Sequence, residues 1–357
     1  MNKNIVVLGG GTGQSVLLKG LKEFPCNITA VVSVADDGRS TGKLRQEFNI
    51  PAVGDIRRVL IALSETEDIV EKLVNYRFHT TSDLDGHTVG NILLTALIDI
   101  TGNLSNGIRQ ISKTLKLKGK VLPLTDECVT LMGEMEDGQI VEGEHNITET
   151  PKKIKRIFYK EEAHANKDVI SEIEKSDAII LSMGSIYTSV IPNLLCKEVI
   201  DAIDKSNSKI IYVCNLFTQP GETDDFKVSD HIKLINSYLG KRKLDIVITN
   251  SEEVDGELLK RYETTEQKSL VKVDSENIEI ENVSKPLVTL SDNTLKHDTV
   301  KLGLEIMNIL SRWKWFENII KKVTQQISYF LITNLVENEG FEPLTPCVQG
   351  RCSSQLS

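Results

Sequence analysis

The 357-residue sequence has no paired-cysteine motif, no membrane-length apolar run and no surplus of positive charge. Each absence removes a class of function. The six cysteines are scattered (Cys26, Cys128, Cys196, Cys214, Cys347 and Cys352), with no C-x-x-C pair and no histidine cluster at metal-ligand spacing beside them. A disulfide scaffold or zinc module is therefore excluded, and the first four read as small core hydrophobes in a reducing compartment. No apolar stretch approaches the roughly 20 residues that a membrane helix needs, so no membrane insertion is expected. The opening Met1-Asn2-Lys3-Asn4 runs directly into a β-branched strand, which predicts no secretory leader and a cytoplasmic location. The formal net charge is −9, with both signs mixed along the chain, so no polyanion-binding face and no nucleic-acid partner are expected. No internal repeat is visible.

What is present is a chain that is 40% apolar, ample for a large core. Ile5-Val6-Val7-Leu8 reads as a buried strand ending in glycines, Ser15 to Lys22 has helical spacing, and Ile28 to Val34 is a second branched strand. That order is a βαβ unit with a right-handed crossover. Helices are expected over Asp55 to Ser64, Asp68 to Arg77, Asn91 to Ile100 and Asn103 to Leu115. Glu136-Asp137-Gly138 between two short β runs signals a hairpin, so residues 119–160 are predicted to form a small β-rich insertion. Alternation then resumes with strands at Ala178 to Leu181, Ile210 to Val213 and Ile246 to Ile248. Helices are expected around Leu194 to Asp204 and Val228 to Leu239, with a closing helix from His297 to Ser311. The prediction is an α/β, Rossmann-like three-layer sandwich on a mostly parallel sheet, occupying residues 1–312. Residues 313–357 are expected to be an atypical, partly disordered tail.

The chemistry sits in loops that follow strands. Gly9-Gly10-Gly11-Thr12-Gly13 lies between a strand and a helix, where glycines let an anion approach the backbone and the helix start offers free N–H groups. The loop satisfies neither the G-x-G-x-x-G dinucleotide pattern, which speaks against NAD, nor the Walker pattern, which needs a following Lys-Ser/Thr. Asp36 and Asp37, just past the second strand, could hold a ribose hydroxyl or a divalent cation, with Arg39, Lys43 and Arg45 supplying phosphate-pairing charge. Asp55 can cap a helix whose first turn carries Arg57 and Arg58. Arginines there oppose the helix dipole, so an anion should compensate them. His87, bracketed by Gly86 and Gly90 and followed by Asn91, can bond an anion or move a proton. In the second half, Ser182 to Ser189 and Cys214 to Thr223 are polar segments at strand ends, and Asn215, Thr218 and Gln219 could read a base or sugar. Five such segments at one sheet edge point to one shared site. No Cys–His or Ser–His context marks an activated nucleophile.

Six of these segments, in order, resemble one family: the strand–GGGTG start, ADDG-x-S-x-G-x-LR, PAVGDIRRVL, GH-x-x-GN, GS-x-Y-TS-x-x-PNLL and CN-x-x-TQPGET, with His297-Asp298 before the last helix. The family is the 2-phospho-L-lactate transferase (CofD-like) superfamily, and the similarity is to its bacterial gluconeogenesis-factor (YvcK-like) branch, over roughly Met1 to Ser311. The resemblance implies a Rossmann-like fold with ligand at the strand ends. It also implies a cytoplasmic role in cell shape and envelope precursor synthesis during gluconeogenic growth, through binding of a UDP-sugar such as UDP-N-acetylglucosamine. The transferase branch implies instead transfer of a phospholactyl group from a guanosine diphosphate-linked donor, with Mg²⁺. Carried onto this chain, the cation or phosphate role falls on Asp36 and Asp37. The nucleoside diphosphate would meet Gly10, Gly11, Thr12, Gly13 and the loop of Gly184, Ser185 and Tyr187, and the base or sugar would lie near Asn215, Thr218 and Gln219. Arg39, Ser40, Arg57, His87 and Asn91 complete the expected ligand set. Ser182-Met183 and Arg39 depart from the family's usual glycine-rich pattern. A homo-oligomer is expected, with envelope-synthesis proteins as further partners.

Overall fold

Strands buried in unbroken runs require cover on both faces, which is the signature of a parallel sheet, and five of the seven strands of the main sheet are of this kind, the two at its edges being partly exposed. In the computed structural model the seven are β1 (Lys3–Gly9), β2 (Cys26–Val32), β3 (Lys120–Pro123), β7 (Ala178–Leu181), β8 (Lys209–Val213), β9 (Ile246–Asn250) and β10 (Glu281–Lys285). They lie in the order β10-β9-β8-β7-β1-β2-β3, and every neighbouring pair is parallel. The chain builds outward from β1 to β3 on one side, then returns to β7 and builds outward on the other. The carboxyl ends of β1 and β7 therefore flank the switch point of the sheet, the crevice where open α/β folds take ligands. The structure describes residues 2–291 and 294–312. Two units divide the chain after Met307, and of the second only residues 308–312 are among those described. The expected tail, with Cys347 and Cys352, lies outside the described residues.

The helices sit mostly where periodicity puts them: α1 (Gly11–Leu21), α3 (Gly54–Leu63), α4 (Asp68–Asn75), α5 (Val89–Thr101), α6 (Leu104–Thr114), α9 (Lys197–Lys205) and α10 (Val228–Tyr238). Gln14 staples α1 to the sheet, because its buried amide donates to the carbonyls of Val7 and Val31, each at 2.9 Å.

Several expectations change. The segment after Asp37 is not a loop but a helix, α2 (Arg39–Phe48). Arg45 accordingly does not face a phosphate: its guanidinium donates to the carbonyls of Ala35, Asp36 and Val129 and ties α2 to the chain leading into the small sheet. Arg45→Gln should cost about 2 kcal/mol in denaturant unfolding and leave ligand affinity unchanged. The β-rich insertion starts later than residue 119, since β3 belongs to the main sheet. Its own antiparallel sheet is β4 (Leu131–Met135), β5 (Ile140–Glu142) and β6 (Ile154–Tyr159), ordered β5-β4-β6 and followed in the chain by α8 (Lys167–Lys175). A short helix, α7 (Glu144–Glu149), joins β5 to β6. Another short helix, α11 (Gly256–Arg261), follows β9. His297 ends a strand pair, β11 (Val288–Ser291) with β12 (Thr294–His297), and the final helix begins two residues later, over 299–312. Cys196 and Cys214 are buried as expected, whereas Cys26 is half-buried and Cys128 is exposed on the surface. Among the described residues no helix is long and apolar enough to cross a membrane.

Candidate functional site

Two hollows compete for attention. The larger, about 900 Å³, lies at the amino ends of β1 and β2, beside Lys22, Lys118 and Lys120. The other, about 620 Å³, opens at the carboxyl ends, over the switch point. Ligands of open parallel sheets bind at carboxyl ends, where helix N-termini converge, so the second cleft is the candidate site.

Its floor is the glycine loop, held by contacts that exclude side chains. A Cβ on Gly9 would stand 2.0 Å from the Ser182 hydroxyl, and one on Gly13 only 1.8 Å from the Met183 carbonyl oxygen. Gly10 is pressed from the other side, with the Asp55 carboxylate 2.7 Å from where its Cβ would be. Gly11 adopts a φ of +63°, a conformation that favours glycine. The N-cap of α1, Gly10, makes no side-chain capping bond, and no acidic residue stands in the first turn. The free N–H groups of the helix start face the cleft, and the carboxylate nearest them, Asp55, comes from another helix.

Opposite stands a wall of carboxylates from four distant segments: Asp36 after β2, Asp55 at the start of α3, Glu144 at the start of α7, and Glu222 in the segment between β8 and α10. Burial pushes Asp55 up to about 7, reinforced by the negative charge of Asp36 and opposed by Arg58, which donates to it at 3.0 Å, and by Arg57. Burial and then Asp36 push Glu144 up to about 8, against a hydrogen bond from Thr188. Burial raises Glu222 to about 7, although Ser185 Oγ donates to it at 2.5 Å and Thr148 Oγ1 at 3.5 Å. Burial raises all three carboxyls, and Asp36 adds repulsion to Asp55 and Glu144, so positive charge placed among these groups would be favoured. Among the described residues no preformed cage of three or more such ligands exists.

The far end of the cleft is aromatic. Phe217 and Tyr262 stack with ring centroids 4.5 Å apart and planes 21° from parallel. The Tyr262 hydroxyl accepts the backbone N–H of Leu295 at 2.8 Å, pinning the ring against β12. Lys268 and Lys296 line this end with Asn215 and Gln219, and His297 closes it, kept neutral by burial that lowers it to about 4.

The cleft brings together Gly10, Gly11, Thr12, Gly13, Asp36, Gly184, Ser185, Asn215 and Gln219 from the expected set. The others lie elsewhere. Asp37 accepts the backbone N–H of His145 at 2.8 Å and so holds the start of α7. Ser40, His87 and Asn91 form a buried chain in which Asn91 donates to Ser40 and Ser40 meets His87 Nδ1, at 3.2 and 3.0 Å. Arg57 is buried and donates to Asn75. Tyr187 bonds the Ile154 carbonyl, and Thr218 pairs with Ser269. The Arg39 side chain lies outside the described set. Sequence reasoning missed Glu144, Glu222 and the Phe217–Tyr262 stack. Only Glu222 carried a local signal, inside the polar segment after β8.

A family model described as 2-phospho-L-lactate transferase CofD matches residues 5–289. The chain belongs to the CofD family. This CofD-family chain is 42% identical over 310 residues to the gluconeogenesis factor of Bacillus subtilis, covering 86% of the chain and 98% of that protein. It is also 42% identical over 309 residues to the gluconeogenesis factor of Halalkalibacterium halodurans, covering 85% and 96%. The crystal structure of protein BH3568 from Bacillus halodurans superposes with a TM-score of 0.84 at 42% identity, over 86% of this chain and 100% of that one.

Proposed function

We propose that the chain binds a UDP-sugar in the switch-point cleft and acts as a regulator of cell morphogenesis and envelope precursor synthesis during gluconeogenic growth. One observation carries the binding part: the start of α1, with no side-chain cap and no acid of its own, opens into the same cleft as a group of buried carboxylates. The helix start attracts a diphosphate. The carboxylates repel one, unless a divalent cation stands between. In this reading Asp36 and Asp55 would hold Mg²⁺, which would neutralise the diphosphate when bound. The stacked Phe217–Tyr262 pair and the Asn215 amide suit a base or sugar at the other end. Similarity to gluconeogenesis factors supports the regulatory part of the reading.

The family model, which is that of a transferase, favours a second reading: transfer of a phospholactyl group from a guanosine diphosphate-linked donor. Calorimetry with Mg²⁺ separates the two. The first reading expects tight binding of UDP-N-acetylglucosamine, weak binding of guanosine diphosphate and no transfer product; the reverse preference would sink it. Asp36→Ala and Asn215→Ala should each weaken binding by on the order of 1.5–3 kcal/mol, the value of a charge-assisted contact, without unfolding the chain. Wild-type affinity in both variants would show that the cleft is misassigned.

A further inference from the structure

Behind the cleft wall lie two residues, His231 and Tyr212, that none of the ligand contacts above uses, joined in a polar chain of hydrogen bonds to Asn215 and Gly184 of the cleft. His231, on α10, is fully buried and packed among aromatic rings: it stacks on Tyr212 with centroids 6.0 Å apart and meets Phe226 edge-on at 5.6 Å. Its Nδ1 lies 2.9 Å from the Tyr212 hydroxyl. That hydroxyl lies 3.2 Å from Asn215 Oδ1, and Asn215 Nδ2 donates to the Gly184 carbonyl at 2.8 Å. His231 Nε2 has no partner.

The protons in this chain can be assigned. Asn215 Nδ2 donates to a carbonyl, so its Oδ1 is the acceptor facing Tyr212. The phenol has a single hydrogen. If that hydrogen went to His231 Nδ1, Asn215 Oδ1 would lose its donor. His231 would also carry its own hydrogen on Nε2, buried without an acceptor. A buried orphan N–H costs more than a bare lone pair. The consistent arrangement runs one way: His231 Nδ1–H donates to Tyr212, Tyr212 O–H donates to Asn215, and Asn215 N–H donates to Gly184. Burial lowers His231 to about 4, so the imidazole stays neutral and the direction does not reverse near neutral pH.

Gly184 is not an arbitrary end point. Its peptide packs on Gly13, whose hypothetical Cβ would stand 2.8 Å from the Gly184 nitrogen, and Ser189 stands 2.9 Å from where a Cβ on Gly184 would be. We propose that His231 and Tyr212 are positioning residues that fix the orientation of the Asn215 amide and the Gly184 peptide, and thereby set ligand affinity from behind the cleft without touching the ligand. The proposal rests on the nucleotide-sugar reading only for its choice of probe.

The test is a double-mutant cycle on the full chain, with UDP-N-acetylglucosamine and Mg²⁺ as probe. Tyr212→Phe keeps the ring and removes both hydrogen bonds of the phenol, to His231 and to Asn215, so affinity should fall about tenfold in a chain that still folds. In the Asn215→Ala background the same change should have no further effect on affinity, because the amide it orients is gone. A purely structural role would give additive losses. Independently of any ligand, the Asn215 side-chain NH₂ signals in a selectively ¹⁵N-labelled sample should be slow-exchanging in the wild type and broadened in Tyr212→Phe. His231→Phe, which keeps the stacked ring, should broaden them as well and serves if Tyr212→Phe does not fold. Unchanged Asn215 signals in both variants, or additive losses in the cycle, would overturn the proposal. A wild-type chain that ignores the probe, together with broadened Asn215 signals in Tyr212→Phe, would overturn the nucleotide-sugar reading and leave the relay standing.

Discussion

Gly13→Ala is expected to cost about 3 kcal/mol or more in unfolding free energy and to reduce UDP-sugar binding at least tenfold. The added methyl would meet the Met183 carbonyl at 1.8 Å, its carbon at 2.4 Å and the Gly184 nitrogen at 2.8 Å. All three atoms are backbone, so no rotamer change relieves the clash. Neither partner can retreat independently. The helix α1 is anchored through Gln14, and the Met183 segment continues β7, which pairs with β1 from Ala178 to Leu181. Relief requires parting the two strand ends that form the cleft. Gly256 is the matching control, with open space around its Cβ position, and Gly256→Ala should change stability by less than about 1 kcal/mol. Urea unfolding of the two variants beside the wild type, followed by calorimetry, checks both parts. A Gly13→Ala variant as stable as wild type would show that α1 and the Met183 segment do not pack this closely.

The second large effect is a dependence of stability on pH. Asp55, Glu144 and Glu222 have folded-state values of about 7, 8 and 7, above the ordinary carboxyl range near 4. At these three sites the folded chain binds more protons than the unfolded one between about pH 4 and pH 8, so their contribution to stability falls as pH rises through the folded values; the buried neutral His231 and His297, lowered to about 4, act in the opposite direction below about pH 6.5 and drop out above it. Without divalent cation, the unfolding free energy should drop by about 2–4 kcal/mol from pH 6.5 to pH 8.5. Asp55→Asn should flatten part of that slope, because the amide keeps the shape and removes the charge that crowds Asp36 and Glu144. Added Mg²⁺ should raise the thermal midpoint at pH 8, where the carboxylates are ionised, and leave it unchanged at pH 5.5. A flat pH profile in the absence of cation would contradict the crowded wall, and a rising one would contradict it outright.

The sequence alone determined five of the seven sheet strands, most helices and the glycine floor, and missed the two edge strands, β3 and β10. Each of those is a local matter: branched runs bounded by turns make buried strands, a 3.6-residue period makes a helix, and a glycine run between strand and helix leaves room at a helix start. Asn215 and Gly184 were legible for the same reason, as polar or small residues directly after strands. What only the tertiary structure decided was which charges meet. Asp36, Asp55, Glu144 and Glu222 are spread across the chain, and no spacing in the sequence marks them as neighbours. The adjacent Asp36 and Asp37 read as a pair, yet the chain turns between them, sending one into the cleft and the other to the start of α7. Arg45, His87 and Asn91 carried phosphate-like context in the sequence, but packing spent their hydrogen bonds inside the protein. Local patterns report the backbone, whose hydrogen bonds close within a few residues in helices and turns. Electrostatic partners are chosen by the fold, which brings together residues that the chain keeps far apart.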